Sequence, residues 1–265
     1  MFSYTFFVNA LVGVVLLSIA SAMIGTYIVS RRLVSISGGV THACFGGLGL
    51  GYYFGVSPVA TAALFAVASS LGVQWVSERH RVREDSAIAV IWALGMAVGT
   101  IFIFLTPGYV PELNSFLFGN ILTISRADLW VFGGFTGLLI LFMGAFYQRI
   151  VICAFDPDFA RVRGLPVGFI STAMTVLTAV CIVLTIRLVG VMLLMSMLAL
   201  PQMTAEVFAR RFSSIMWLSI LLSLACSLGG LFLGLVVEVP CSALIVLVMA
   251  AVYIVARGIG MLRAK

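Results

Sequence analysis

The sequence predicts an all-α fold, a polytopic transmembrane helical bundle of about eight or nine spans, with the N-terminus outside and the C-terminus in the cytoplasm. Hydrophobic residues make up 63% of the 265 residues and charged residues only 9%, far below the roughly 25% usual in soluble domains. The apolar residues form long stretches, and most basic residues lie between alternate stretches. We therefore expect a single multi-pass domain, residues 1–265, embedded in the lipid of the inner (cytoplasmic) membrane.

Nine apolar stretches, uncharged except at Glu206, approach the roughly 20 residues that a helix needs to cross the hydrocarbon core. The first lacks the basic residues that begin a signal peptide, so we expect it to remain as a helix. The second, sixth and last are short or adjoin a neighbour, which leaves eight spans with one re-entrant or half-length segment as an alternative. In chain order the stretches are residues 4–29, 39–53, 59–76, 87–105, 129–147, 167–186, 188–208, 215–237 and 242–255.

The basic residues indicate how these spans are oriented. In a soluble protein the net charge of +6 would suggest nucleic-acid binding, but in a membrane protein basic residues accumulate in cytoplasmic loops. We therefore expect no nucleic-acid partner. With the N-terminus outside, only Arg126 and Arg187 fall on the outer side of the membrane. The remaining basic residues all face the cytoplasm: Arg31, Arg32, Arg79, Arg81, Arg83, Arg149, Arg161, Arg163, Arg210, Arg211, Arg257, Arg263 and Lys265.

Two predicted loops are long. The cytoplasmic loop, residues 148–166, reads QRIVICAFDPDFARVRGLP, where Asp156 or Asp158 before an apolar turn and Gly164 after it predict a short helix. Such an amphipathic helix can dock into a groove on a partner, and a solvated linker beside the membrane is an equally open alternative. The outer loop, residues 106–128, contains an amphipathic stretch suited to the outer face of a pore.

His42 is the candidate metal ligand within a span. Placing a polar residue inside the membrane costs free energy, so such a residue is a candidate functional residue. His42 lies in SISGGVTHACFGGLGLGYY, whose glycines allow helices to approach closely. Its imidazole could serve as a transient ligand for Zn²⁺ or Mn²⁺, or could bond a neighbouring carbonyl in a tight helix contact. The five cysteines have no zinc-site spacing and are expected to be reduced packing residues.

The sequence contains no constellation of catalytic residues. Its sole lysine is Lys265, so it has no GxxxxGK[ST] phosphate loop, and ATP-driven transport would need an ATPase in another chain. No cofactor is expected, and the chain is not predicted to be an enzyme. In the seventh stretch, Pro201 removes a backbone donor, which is tolerated where a neighbouring group re-satisfies the freed carbonyl.

At these residues the chain resembles the family of metal-ion ABC transporter permeases for zinc, manganese and iron. RRLVSISGGVTHACFGGLGLGYY resembles the family's G-D-x-x-S-H-A-x-x-P-G stretch, REDSAIAVIW its E-D-x-x-I-G segment and FLFGNIL its F-G-x-I-L element. DPDFARVRGLP, VGVMLLMSMLALPQMTA and LVVEVPCSALIVLV then follow in the family's order. Each motif alone is weak, but six in register over nearly the whole length are specific.

The resemblance implies a homodimer or paired permease with a cytoplasmic ATPase below it and an extracytoplasmic metal-binding protein above it. His42 would line the metal pathway, and the ion would move by alternating access. One departure weakens a hard-ion site: aligned on His42, the family's aspartate falls at Gly38. The segment expected to couple to the ATPase contains Asp156, Asp158, Phe159, Ala160, Arg161 and Gly164.

Four other functions would require different sequence features. A permease for metal chelates would need a wider path and usually more spans. A secondary transporter driven by an ion gradient would normally place acidic residues within its spans. An intramembrane enzyme would need paired buried acids or a nucleophile with a base. A purely structural subunit would tolerate substitution of His42 and of residues 156–164.

Overall fold

The computed structural model describes residues 5–80, 83–107, 119, 121, 124–237 and 239–263, and the regular structure within these ranges is helical. The all-α class predicted from composition is confirmed. In chain order the helices are α1 Thr5–Ser30, α2 Val34–Phe54, α3 Pro58–His80, α4 Glu84–Leu105, α5 Arg126–Phe155, α6 Pro157–Val162, α7 Val167–Phe208, α8 Phe212–Val237 and α9 Cys241–Arg263.

Seven helices in the described ranges are long and apolar enough to cross a membrane: α1, α3, α4, α5, α7, α8 and α9. The predicted second stretch forms the 21-residue helix α2, whose many glycines lower its hydropathy. The predicted sixth and seventh stretches form one helical run, α7, which is broken at Gly190. The nine stretches therefore become eight helices, one of which is interrupted. The N-out, C-in orientation stays a prediction.

Gly190 interrupts α7 with non-helical backbone angles, φ 80° and ψ 172°. A side chain makes this region of backbone space costly, so glycine is required there. Gly119, in the FLFGNIL segment, lies against the backbone of Val189 and Gly190, too close for a Cβ atom to fit. Most of the predicted amphipathic stretch 115–122 lies outside the described residues, but these contacts place its glycine at the helix break.

The helices form two compact units, described here separately. One unit comprises residues 1–32, 114–147 and 188–265, and it packs α1 and α9 against α8. The other comprises residues 33–113 and 148–187, and it packs α3 and α4 against α2. In this second unit 13 of the 21 residues of α2 are buried, so α2 is its central helix.

In the first unit the side chain of Gln202 replaces the backbone hydrogen bond that Pro201 removes. Pro201 has no N–H, so the carbonyl of Met197, four residues earlier, loses its usual donor. The buried Gln202 donates from Nε2 to Met197 O at 3.1 Å and to Ser21 O of α1 at 3.0 Å. A Cβ at Gly25 would lie 2.5 Å from this Nε2, so glycine leaves the space that the side chain occupies. The freed carbonyl predicted from the sequence is satisfied from within the chain.

Replacing Gln202 by leucine is expected to lower the stability of the purified protein. The change leaves the Met197 carbonyl without its side-chain donor, and an unsatisfied buried polar group costs about 1–3 kcal/mol. Thermal unfolding in detergent measures the effect. Gln148→Leu, the same substitution at an exposed residue, serves as the control. Equal melting temperatures for the two variants would contradict this role for Gln202.

Candidate functional site

Small residues bring α2 and α4 into close contact along a seam. A Cβ at Gly46 would lie 2.9 Å from the carbonyl oxygen of Gly95, and a Cβ at Gly49 would lie 2.5 Å from that of Gly99. From the other side, a Cβ at Gly95 would lie 2.5 Å from the Cα of Ala43. Gly95 and Gly99 form a GxxxG pair, the spacing that lets membrane helices approach backbone to backbone. We call this contact the α2–α4 seam.

The two helices of the seam run parallel, and contacts recur along it at a constant offset. Ser35 Oγ donates to Asp85 Oδ1 at 2.6 Å, and the two residues are 50 positions apart in the sequence. The same offset relates His42 to Trp92, and Gly49 to Gly99. Each step advances seven residues, or about two helical turns, along both helices. Side chains at matching positions therefore face one another across the seam.

His42 lies in the middle of the seam and stacks on Trp92. The ring centroids are 4.5 Å apart and the ring planes differ by 2°. His42 is half-buried, whereas 43% of the Trp92 surface is exposed. Within the part of the chain that the structure describes, neither ring nitrogen of His42 has a hydrogen-bond partner. Stacking covers one face of the imidazole and leaves the in-plane lone pair able to bind an ion.

The other candidate donors near His42 are occupied or turned inward. Thr41 is buried and donates to the carbonyl of Ser37, and the Cys44 thiol is buried. Position 38 is glycine and supplies no donor. Among the residues described, no group of three or more His, Cys, Asp or Glu could hold a metal ion. The seam therefore offers a single nitrogen ligand, which suits brief contact with a passing ion better than storage.

Asp85 places a carboxylate at the N-terminal end of the same seam. It lies in the first turn of α4, bonds to Ser35 and is exposed. About two turns of helix, or roughly 10 Å along the axis, separate it from the level of His42. Sequence reasoning missed both Trp92 and Asp85. The sequence alone carries no signal for them, because the 50-residue offset between the two stretches follows from how α2 and α4 pack.

The cytoplasmic loop contains the predicted short helix, α6. Asp156 caps it by accepting a hydrogen bond from Phe159 N at 2.9 Å, and Pro157 occupies the start of the helix. Gly164 ends it with φ +71°, a conformation that favours glycine. Ala160 is fully buried and anchors the helix. The predicted short helix ended by Gly164 is confirmed, and of the two capping candidates, Asp156 and Asp158, Asp156 is the one that caps it.

Around α6 the charges are paired within the segment while the apolar groups point outward. Arg161 Nη1 lies 2.8 Å from Asp158 Oδ1, and the guanidinium of Arg163 lies 4.9 Å from the ring centre of Phe159. An apolar outward surface, which we call the docking face, is formed by Phe155 with 57% of its surface exposed, Phe159 with 45% and Val162 with 88%.

Comparison with known proteins gives a consistent result. The model of the ABC 3 transport family matches residues 3–259. A protein of Chlamydia pneumoniae named "Probable metal transport system membrane protein" is 36% identical over 242 residues, covering 89% of this chain and 83% of the relative. The manganese transport system membrane protein MntC of Halalkalibacterium halodurans is 30% identical over 254 residues, covering 96% of this chain and 87% of the relative.

The structure is also similar to a solved one. The chain superposes on a chain of PsaBC from Streptococcus pneumoniae, a structure determined in complex with Fab, with a TM-score of 0.84. The sequences are 26% identical, and the match covers 96% of this chain and 91% of that chain. The similarity therefore extends over nearly all of both chains.

Proposed function

Because this chain belongs to the ABC 3 transport family, we propose that it is the membrane-spanning permease subunit of an importer for a divalent transition-metal ion, zinc or manganese. It is a multi-pass transport subunit of the inner membrane rather than an enzyme. The observation that carries the proposal is the family match over residues 3–259. It is supported by relatives that are named for metal transport and that match this chain over most of their length. Residues 1–265 act as one permease domain in this account.

The ion passes along the α2–α4 seam and contacts His42. A half-buried imidazole in an apolar chain is expensive to leave against lipid, so a polar path beside it explains its position. The seam supplies a single ligand, and weak binding lets an ion leave as readily as it enters. An extracytoplasmic metal-binding protein delivers the ion, and a second copy of this chain completes the path.

ATP hydrolysis by a separate chain drives the alternating access. The sequence has no phosphate-binding loop of its own, because its sole lysine is Lys265. The ATPase binds the docking face, where Phe155, Phe159 and Val162 offer apolar surface. The Asp156 cap and the buried Ala160 hold Phe159 and Arg161 in place on α6. Movements of the ATPase are therefore transmitted to the transmembrane helices through α6 as a rigid element.

Uptake by reconstituted vesicles tests the proposal. The vesicles hold this chain, its ATPase and its metal-binding protein, and ⁶⁵Zn²⁺ and ⁵⁴Mn²⁺ accumulation is measured with and without ATP. We expect ATP-dependent accumulation of at least one of the two metals. Accumulation that requires an ion gradient instead of ATP would identify a secondary transporter. No uptake of either free ion, together with uptake of a chelate, would identify a chelate permease.

A further inference from the structure

We propose that Trp92 is a positioning residue that fixes the orientation of His42, and that the pair makes the α2–α4 seam selective for zinc over manganese. The proposal rests on the proposed function, because it names the ion that the same site prefers. It goes beyond that function by assigning a role to a residue that does not itself bind the metal.

The stacking geometry carries the positioning role. A histidine ring turns easily about its last side-chain bond, whose torsion has broad, roughly two-fold minima. The nearly coplanar contact with Trp92, at 4.5 Å and 2°, selects one plane and leaves the ring edge free. Trp92 itself lies on α4, which is held against α2 by the glycine contacts on both sides of this level. The seam therefore fixes the backbone that carries Trp92, and the stacked indole orients the imidazole.

The selectivity follows from the donors along the seam. Helix α2 has no carboxylate, and the carboxylates of α4, Glu84 and Asp85, lie in its first turn, away from the level of His42. Manganese prefers oxygen ligands and has the lowest affinity of the first-row divalent ions for a given site, whereas zinc binds imidazole well. A seam whose mid-level donor is a single nitrogen therefore discriminates against manganese.

The test compares Trp92→Leu with Trp92→Phe in reconstituted vesicles. The leucine variant loses the ring that orients His42, and we expect KM for zinc to rise about tenfold with little change in kcat, as when the partner that orients a metal ligand is removed. The phenylalanine variant keeps a ring to stack on, so its KM stays near that of the unchanged protein. In competition, the zinc-to-manganese uptake ratio falls for the leucine variant only.

A fluorescence experiment checks the contact without transport. Phenylalanine replaces Trp75, Trp130 and Trp217, which leaves Trp92 as the sole tryptophan. Added Co²⁺ is expected to quench its emission, because an ion bound to the stacked imidazole lies within contact range of the indole. The quenching should disappear in the same background with His42→Ala.

The outcomes separate the two proposals. An unchanged zinc KM in Trp92→Leu, in vesicles where His42→Ala is inactive, overturns the role of Trp92 and leaves the proposed function standing. Preference for manganese in the unchanged protein overturns the selectivity. If the unchanged protein imports neither ion, the proposed function fails, and a lack of His42-dependent Co²⁺ quenching would show in addition that no ion binds beside Trp92.

Discussion

Replacing His42 by alanine is expected to abolish ATP-dependent metal uptake while the assembly still forms. In the proposed function the imidazole of His42 is the metal ligand at mid-level of the α2–α4 seam, and among the described residues no cluster of three or more His, Cys, Asp or Glu could take its place. Loss of a group that only supports a metal ligand typically costs about 10- to 100-fold in activity, so loss of the ligand itself should reduce uptake at least as much. Uptake of ⁶⁵Zn²⁺ by reconstituted vesicles measures it.

The control is His80→Ala, which removes the other histidine of the chain, at the end of α3. This variant should transport like the unchanged protein. Co-purification with the ATPase shows that His42→Ala still assembles. A His42→Ala variant that keeps more than half of the uptake would place the pathway elsewhere and would leave His42 as a packing residue.

A single charge on the docking face is expected to uncouple the chain from its ATPase. Val162 is 88% exposed, so Val162→Asp should change the stability of the isolated chain little. In the complex, however, the carboxylate would be buried against the ATPase without a partner. Burying an unpaired charge in this way lowers the binding free energy by several kcal/mol. We expect ATPase binding to weaken by about 100-fold or more and uptake to fall with it. Affinity of the purified chain for the ATPase is the measurement.

Leu262→Asp is the matched control for Val162→Asp. Leu262 lies near the end of α9, is 76% exposed and is predicted to face the cytoplasm, but it lies outside residues 156–164. The control should bind the ATPase normally. Equal binding by both variants would contradict a docking role for this face and would favour the solvated-linker interpretation of the loop.

Composition and local spacing were enough to predict the long helices and the short helix α6. The nine apolar stretches predicted the long helices because the thickness of the bilayer sets the length of a helix that crosses it. Asp156 and Gly164 predicted α6 because a capping side chain and a left-handed glycine act within a few residues of themselves. Both effects are local, so one sequence reveals them.

Contacts between distant residues could not be predicted in this way. Periodicity in α4 does not indicate that Trp92 stacks on a residue 50 positions earlier, because the offset depends on how α2 and α4 pack. Likewise, Pro201 signalled a freed carbonyl, but the donor that satisfies it was known only once Gln202 was placed beside α1. The sequence placed the boundary between the sixth and seventh stretches at Arg187, and the exact break at Gly190 was not found because the apolar pattern continues across it.

Cysteine labelling measures directly whether position 42 faces an aqueous path. The five native cysteines are replaced by alanine, and His42 or, as a control, the exposed mid-helix residue Leu141 of α5 is replaced by cysteine. A water-soluble, membrane-impermeant thiol reagent is then applied from each side of the vesicle, with and without ATP. We predict that position 42 is labelled, that the accessible side changes with ATP, and that Zn²⁺ slows the labelling, while position 141 stays unlabelled. Labelling of position 42 by a lipid-soluble reagent alone would contradict the account, because it would place His42 against lipid.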